Sequence, residues 1–169
     1  ALFLLASVFV VNKQVDYFFN KDLGYDAEDV MVVSSVPRSW NRQGFEKLDA
    51  QKEHFEKIPE VAAVSMSFEI PDGRYGMMPA IYQPGQTIED AFKVTPIFCD
   101  EAYAETFGLQ VSAGRFFQEN GAPHRDMTLL VNERMVEQMG WEEAIGQQLL
   151  IGNNPTPWEV IGVVKDYHF

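Results

Sequence analysis

The chain has 169 residues, the length of a single domain, and its 46% hydrophobic and 22% charged residues exclude wholesale disorder and low-complexity classes. Thirteen lysines and arginines stand against twenty-five aspartates and glutamates, and the net charge of −12 would repel a phosphate backbone, so nucleic acid is not expected as a partner. The single cysteine, Cys99, cannot form an intramolecular disulfide.

Residues 1–11 form an uninterrupted apolar run, ALFLLASVFVV. As a helix, this run covers about half of a ~30 Å hydrocarbon core, so it cannot span a bilayer alone. A buried core helix and a signal-peptide h-region are the alternatives, although no Ala-x-Ala-like cleavage site follows the run. The polar and aromatic residues from Asn12 to Lys21 are typical of a membrane helix that emerges into the interface. We therefore predict that residues 1–20 are the outer end of a transmembrane helix whose Leu and Phe side chains are exposed.

The first half beyond residue 21 predicts a β-α-β order. The β-branched run 30–35 is typical of a buried strand, and the alternating apolar residues of 64–70 predict a strand with one buried face. Between them, apolar residues at helical spacing predict an amphipathic helix over 41–57. Further short strands are predicted at 78–82 and 91–98. The apolar face of the predicted helix consists of Phe45, Leu48, Phe55 and Ile58.

The second half predicts shorter elements. A helical turn is predicted over 102–107, capped by Asp100 and ended by Gly108. A longer helix is predicted between Asn132, which caps it, and Gly140. The predicted strands are 126–131, 148–151 and 158–164, the last two joined by a hairpin loop at 152–155. The apolar residues predicted to fill the core of this half are Phe116, Phe117, Met135, Val136, Met139 and Trp141.

The sequence contains no P-loop, no Gly-x-Ser-x-Gly elbow, no His-Glu-x-x-His pair, no calcium loop and no Cys/His cluster with zinc-ligand spacing. Adjacent carboxylates point in different directions on a helix or a strand, so two acidic pairs are more typical of a helix cap and a solvated turn than of an acid/base couple. We predict no catalytic, cofactor-binding or metal-binding residue. The acidic pairs are Asp100 with Glu101 and Glu142 with Glu143, and the scattered histidines are His54, His124 and His168.

Five segments, in this order, resemble the periplasmic core domain of MacB/FtsX-type ABC transporter permeases. Each segment alone is also typical of an ordinary turn and core strand, whereas all five in order behind an apolar helix are specific. The resemblance covers nearly the whole chain, and it implies that the glycines are architectural, with Gly162 inside a strand where another backbone approaches closely. The segments are 17–25 (YFFNKDLGY), 100–117 (DEAYAETFGLQVSAGRFF), 131–141 (VNERMVEQMGW), 144–147 (AIGQ) and 158–169 (WEVIGVVKDYHF).

The resemblance implies an α+β fold with two lobes. Residues 21–98 would form a β-α-β lobe to which residues 158–169 return, and residues 99–157 would form a smaller inserted mixed α/β lobe. The domain of the family continues beyond the equivalent of Phe169, so the first lobe is expected to be incomplete here.

The resemblance also implies a mechanical role and no enzymatic activity or cofactor. The domain would lie on the periplasmic or extracellular side of the bacterial cytoplasmic membrane. By conformational change it would couple cytoplasmic ATP hydrolysis to transport, release or signalling outside the membrane. The implied partners are a cytoplasmic ATP-binding subunit, a second permease copy, a periplasmic adaptor or substrate protein, and the membrane through the N-terminal helix.

An extracellular ligand-binding sensor domain of a membrane receptor is the alternative, because an apolar start and a mixed α/β pattern fit it equally well. A sensor needs a pocket with convergent polar groups. A soluble enzyme is the third class, for which the sequence offers only the acidic pairs. The candidate pocket residues of a sensor are scattered along the chain: Arg74, Tyr75, Tyr82, Arg115 and Trp158.

Overall fold

The structure, a computed structural model, describes residues 2–21, 23–26, 28–34, 41–71, 74, 76–118 and 127–167. Helices and strands are mixed within these residues, which confirms the predicted α+β class. The helices are α1 (Leu2–Asn20), α2 (Arg42–Glu56), α3 (Tyr103–Thr106) and α4 (Glu133–Met139), and a 3-10 turn spans Ile88–Asp90. The strands are β1 (Ala80–Tyr82), β2 (Phe92–Lys93), β3 (Val111–Gly114), β4 (Thr128–Asn132), β5 (Gln148–Ile151) and β6 (Trp158–Val164).

Strand β6 organises the sheet because it pairs along both of its edges. Strand β4 runs parallel to it, from Thr128 opposite Glu159 to Asn132 opposite Val164. The other edge is shared, since β5 pairs antiparallel with the beginning of β6 and β3 with its end. Strands β1 and β2 extend the sheet beyond β5. The strand order is therefore β2-β1-β5-β6-β3, with β4 on the opposite edge of β6.

The hydrophobic core forms where α4 covers this sheet. Val160 is fully buried and Leu149 is 1% exposed, and Met135 of α4 packs against the same cluster. Val136 and Met139 are half-buried and pack at its margin. Burial of this kind stabilises by about 25 cal/mol for each Å² of apolar surface removed from water. The core residues are Ile81, Val131, Met135, Ala144, Leu149, Val160 and Val163.

The helices predicted over 41–57 and between Asn132 and Gly140 are confirmed as α2 and α4, and each is capped by an asparagine at its first turn. The Asn41 side chain accepts a hydrogen bond from the Gly44 N–H (2.8 Å) at the start of α2. The Asn132 side chain accepts one from the Met135 N–H (3.2 Å) at the start of α4, which ends at Gly140 with a left-handed φ of +65°. These caps satisfy N–H groups that a helix leaves unpaired in its first turn.

The large apolar side chains of α1 that the structure describes are exposed, as predicted. Phe3 is 83% exposed, Leu4 68% and Phe9 64%. In the described part of the chain, no helix has the length and apolar content needed to cross a membrane.

Two strand predictions in the first half are wrong. Residues 30–34 form no strand, and Met31 is 76% exposed; Ser35 lies outside the described residues. Residues 64–70 contribute only one antiparallel bridge, Ser67 opposite Cys99. The physical reason lies next to the bridge, where the Met66 N–H bonds to the Asp100 carboxylate (3.0 Å) and is not available to a strand partner. The strand predicted at 78–82 is confirmed over its last three residues, as β1, and the strand predicted at 91–98 is confirmed only near its beginning, as β2.

The predicted strands of the second half are confirmed. Strand β4 begins at Thr128, two residues later than expected, and Asp126 lies outside the described residues. Strands β5 and β6 pair as the predicted antiparallel hairpin. Gly162 lies within β6, where a Cβ would collide with the carbonyl oxygen of Arg115. The close backbone approach expected at this glycine is therefore confirmed.

The predicted aromatic core of the second half is only partly right. Trp141 is half-buried and packs against the main cluster, although its indole N–H has no partner among the described residues. Phe116 and Phe117 are also half-buried, with ring centroids 5.2 Å apart, and neither belongs to the core cluster. The core is aliphatic because β4, β5 and β6 present branched side chains to α4.

Candidate functional site

The segment that follows α1 packs tightly against the segment that follows β6. Gly24 has a φ of +77°, a left-handed conformation that favours glycine. A Cβ at this position would lie 2.6 Å from the Asp166 carbonyl oxygen and 2.9 Å from the Tyr167 Cα. The backbone therefore approaches at a distance that only glycine permits.

Tyr25, the next residue, contacts three segments that are distant in sequence. Its hydroxyl donates a hydrogen bond to the Pro71 carbonyl oxygen (2.9 Å). Its ring meets the ring of Phe107 edge-on at 6.2 Å and the ring of Tyr167 at 6.5 Å. The neighbouring Asp26 N–H also donates to the Phe107 carbonyl oxygen (2.8 Å). We call Tyr25, Pro71, Phe107 and Tyr167, together with Tyr103, the Tyr25 junction.

Tyr103 supplies the buried base of the Tyr25 junction. Tyr103 is 2% exposed and Phe107 is 6% exposed, and their rings lie 4.7 Å apart. The Tyr103 hydroxyl finds no hydrogen-bond partner in the part of the chain that the structure describes. Burial raises the pKa of Tyr103 above its ordinary value and raises the pKa of Tyr167 to about 12. Both phenols are therefore neutral packing groups at physiological pH.

A second network, which we call the Lys52 cluster, joins α2 to the start of α3. The Lys52 Nζ lies 2.8 Å from Asp100 Oδ2 and 3.3 Å from Glu101 Oε1. The Ser65 hydroxyl donates to Asp100 Oδ1 (2.6 Å), and the Met66 N–H donates to Asp100 Oδ2 (3.0 Å). The side chains of Lys52 and Asp100 are only 14% and 13% exposed. The Asp100 carboxylate thus accepts hydrogen bonds from Lys52, Ser65 and Met66 in a largely buried site.

The electrostatics of the Lys52 cluster favour the charged lysine. Burial by itself lowers the pKa of Lys52, but the hydrogen bonds and negative charges of Asp100 and Glu101 outweigh it, so the pKa is raised. The same charges act on the neighbouring Cys99. Its pKa is raised to about 12, chiefly by burial and then by Asp100, Glu69 and Glu101, so the thiol stays protonated and unreactive.

The structure corrects the predicted role of Asp100. Ala102 occupies the N-cap position of α3, with no side-chain cap, and the Asp100 carboxylate bonds to Lys52, Ser65 and Met66 instead. Gly108 does end the helical turn, with a φ of +61°. Glu142 and Glu143 are exposed, as expected of a solvated turn.

The residues considered for a sensor pocket that the structure describes lie on different elements. Tyr82 and Trp158 flank β5 on either side, opposite Leu150 and Leu149. Arg115 is exposed and its N–H bonds to Ile161, further along β6. Arg74 is exposed, and Tyr75 lies outside the described residues.

The histidines give no metal centre in the described chain. His54 is exposed on α2, with its ring 6.2 Å from that of Phe55, and His124 and His168 lie outside the described residues. No group of three metal-binding side chains occurs among the residues that the structure describes.

Both networks were missed by the sequence reasoning, although each left a signal. On α2, the predicted apolar stripe jumps seven positions from Leu48 to Phe55, and Lys52 fills the gap on the same face. A lysine at a buried helical position needs an acidic partner. Tyr103 and Phe107 are likewise spaced i, i+4, which places both on one face of a helical turn.

The whole chain, residues 1–169, matches the family model described as the MacB-like periplasmic core domain. The chain belongs to this family. No curated protein matches the sequence. The resemblance carried by the five segments is therefore confirmed, and three of these segments meet at the Tyr25 junction: 17–25 supplies Tyr25, 100–117 supplies Tyr103 and Phe107, and 158–169 supplies Tyr167.

Solved structures share the fold of this MacB-like domain. The periplasmic region of MacB from Actinobacillus actinomycetemcomitans has a TM-score of 0.53 and 18% identity, over 70% of this chain and 50% of that one. The extracellular domain of the noncanonic ABC-type transporter YknZ from Gram-positive bacteria has a TM-score of 0.51 and 20% identity, over 70% of this chain and 57% of that one. The chain thus spans about half the length of the structures that it matches.

Proposed function

We propose that this domain is the extracytoplasmic part of an ABC transporter permease in the bacterial cytoplasmic membrane. Helix α1 is the outer end of a transmembrane helix, and ATP hydrolysis by a cytoplasmic ATP-binding subunit moves it. The domain then moves against that of a second permease copy and acts on a substrate or on an adaptor protein outside the membrane. Membership of the MacB-like periplasmic core domain family supports the transporter setting.

The observation that carries the proposal is the set of contacts made by Tyr25. The chain leaves α1 at Asn20, and five residues later it is fixed to Pro71, Phe107 and Tyr167. A displacement of α1 therefore acts on the folded domain through a short segment with a hydrogen bond and two aromatic contacts. Transmission of motion requires a rigid connection of this kind, and it requires no catalytic group.

From the Tyr25 junction, two routes lead into the domain. Tyr167 follows β6, the strand that pairs with β3, β4 and β5. Phe107 and Tyr103 lead through α3 to Asp100, and from there the Lys52 cluster leads to α2. We retain the division into a first lobe (21–98 with 158–169) and an inserted lobe (99–157) as part of this proposal. In that division β6 would be the strand shared by both lobes.

The test uses the full permease with its ATP-binding subunit, reconstituted in nanodiscs. Spin labels are placed at Glu137→Cys, an exposed position on α4, in a Cys99→Ser background. Electron paramagnetic resonance then measures the distance between the two copies with and without ATP. We expect ATP to change this distance in the otherwise unaltered protein. In Tyr25→Ala the distance should no longer change, although ATP is still hydrolysed.

Tyr82→Ala is the matched control, because Tyr82 is also half-buried and also donates one hydrogen bond to a main-chain carbonyl, that of Gly152 (3.2 Å). This variant should keep the ATP-dependent change in distance. Circular dichroism verifies that both variants are folded. An unchanged response in folded Tyr25→Ala would contradict transmission through the junction.

A further inference from the structure

Helix α1, together with the residue that follows it, carries a stripe in which aromatic and lysine side chains alternate. Phe9, Lys13, Tyr17 and Lys21 follow one another at intervals of four residues, so neighbours lie above one another on the helix surface. The Lys13 Nζ lies 6.0 Å from the centre of the Phe9 ring, and the Lys21 Nζ lies 5.5 Å from the centre of the Tyr17 ring. We call these four residues the aromatic-lysine stripe.

The aromatic-lysine stripe is open to its surroundings. Phe9 and Tyr17 are each 64% exposed, and Lys13 is exposed as well. A shallow depression of about 460 Å³ follows the same side of the helix. It is lined by Phe9, Val10, Lys13, Gln14 and Tyr17.

The charge of the stripe is opposite to that of the chain. The four residues of the stripe carry a charge of +2, from Lys13 and Lys21, and the acidic residues next to them in the sequence are Asp16 and Asp22. The whole chain carries −12. A positively charged, aromatic helix face on a strongly acidic domain is complementary to an anionic and amphipathic surface.

The length of the stripe and its position next to the apolar run fit the headgroup layer of a membrane. The uninterrupted apolar run ends at Val11, and the segment from Lys13 to Lys21 covers about 12 Å along the helix axis. The layer of headgroups outside the hydrocarbon core is roughly 5–8 Å thick on each side, so the stripe is long enough to cross it. Aromatic rings settle at that level, and lysine side chains reach from it to the phosphates.

We infer that the aromatic-lysine stripe binds the phosphates of anionic phospholipid headgroups. The inference rests on the proposed position of α1 in the membrane. Lys13 and Lys21 supply the charge, and Phe9 and Tyr17 hold the two ammonium groups against their rings while the aromatic edges sit among the headgroups. The stripe thereby fixes the height and the rotation of α1 at the point from which the chain continues to Tyr25.

The test measures binding of the 169-residue chain to two kinds of vesicle, one of phosphatidylcholine and one of equal parts phosphatidylcholine and phosphatidylglycerol. The test variant is Lys13→Gln/Lys21→Gln. The control is Lys47→Gln/Lys57→Gln, which removes the same charge from exposed positions on and just after α2. Relative to this control, the test variant should partition into the anionic vesicles about fivefold more weakly for each lysine removed. Binding of the two variants to the neutral vesicles should be equal.

Equal binding of both variants to anionic vesicles would overturn the inference about the stripe. In that case, binding of the unaltered chain to both kinds of vesicle would still support the position of α1 in the membrane. Failure of the unaltered chain to bind either kind of vesicle would overturn both. The coupling role is tested separately, by the distance measurement on Tyr25→Ala. High salt provides a second readout, because it should abolish the difference between the two variants if the stripe acts through charge.

Discussion

Replacement of Lys52 by methionine tests whether the Lys52 cluster holds α2 to the rest of the domain. Methionine keeps most of the volume and the apolar stem of lysine but removes its charge. At contact distances of 2.8 and 3.3 Å, and an effective dielectric constant of about 20, each ion pair has a gross attraction of about 5–6 kcal/mol. Most of this is offset by the cost of removing the charges from water, so the net contribution of the pairs is small.

The loss on substitution is larger than that net contribution, because the partner carboxylates remain where they are. Asp100 keeps the hydrogen bonds from Ser65 and Met66 but stays 13% exposed without a counter-charge. Breaking a fully buried pair costs about 3–5 kcal/mol, and we expect about 2–4 kcal/mol here because both groups retain some contact with water. Urea denaturation followed by circular dichroism gives this free energy of unfolding.

A matched substitution on the same segment separates charge from burial. Lys57 lies just after α2, 76% exposed and 3.9 Å from Glu53, so Lys57→Met should cost less than about 1 kcal/mol. The double variant Lys52→Met/Asp100→Asn should lose less than the sum of the two single changes, because it leaves no unpaired charge at Asp100. If Lys52→Met costs no more than Lys57→Met, or if the double variant is additive, the reasoning about the cluster is wrong.

Three further outcomes follow from the same contacts. Gly24→Ala should lower the free energy of unfolding by about 2–4 kcal/mol in urea, and Gly85→Ala by only about 1–2, because both have positive φ but only Gly24 lies against another backbone. Iodoacetamide at neutral pH should alkylate Cys99 about a thousandfold more slowly in the folded chain than in the unfolded one, because a pKa raised from 9.0 to about 12 lowers the thiolate fraction by that factor. The pKa of Tyr167 is raised from 10.0 to about 12, so this phenol ionises first in the unfolded chain as the pH increases. The free energy of unfolding, measured in urea, should therefore fall between about pH 10 and pH 12, and it should fall less steeply in Tyr167→Phe.

Elements with their own periodicity and end signals could be predicted from the sequence. Helices α2 and α4 combine apolar residues at helical spacing with an asparagine at the first cap, and both have the expected bounds. The hairpin of β5 and β6 follows from two apolar runs around a loop rich in turn residues. In these cases the local preference and the tertiary contacts agree.

The strand predicted at 64–70 shows why the local sequence pattern did not suffice to predict the other elements. Alternation indicates which side chains share a face, but a strand also needs a neighbour that accepts its N–H groups. Here a side chain, the Asp100 carboxylate, takes the Met66 N–H, and the pairing is reduced to Ser67 opposite Cys99. Residues 30–34 carry the β-branched composition of a strand, yet Val32 and Val33 are about half exposed. A β-branched composition favours a buried strand, but it does not provide the neighbouring strand with which to pair.

The candidate site was less predictable than the fold for the same reason. Tyr25, Tyr103 and Tyr167 come from three distant parts of the chain, and no local spacing indicates that they meet. The resemblance to a known family identified the segments but not the contacts between them. Lys52 could have been recognised as a buried lysine from its place on the apolar face of α2, whereas its partners Asp100 and Glu101, 48 and 49 residues away, could not have been identified.

In the proposed coupling, the Tyr25 junction is the place where movement of α1 would reach the folded domain. The backbone after α1 touches the backbone after β6 at Gly24 and Asp166, so a force on α1 is applied where the central strand of the sheet ends. Strand β6 is bonded to β3, β4 and β5, and close packing in the core makes these strands respond together. Helix α2 lies outside that sheet, and the Lys52 cluster supplies its connection to α3. The two networks therefore have different consequences: loss of the Tyr25 side chain would weaken the connection between α1 and the sheet, whereas loss of Lys52 would leave that connection intact and weaken the attachment of α2.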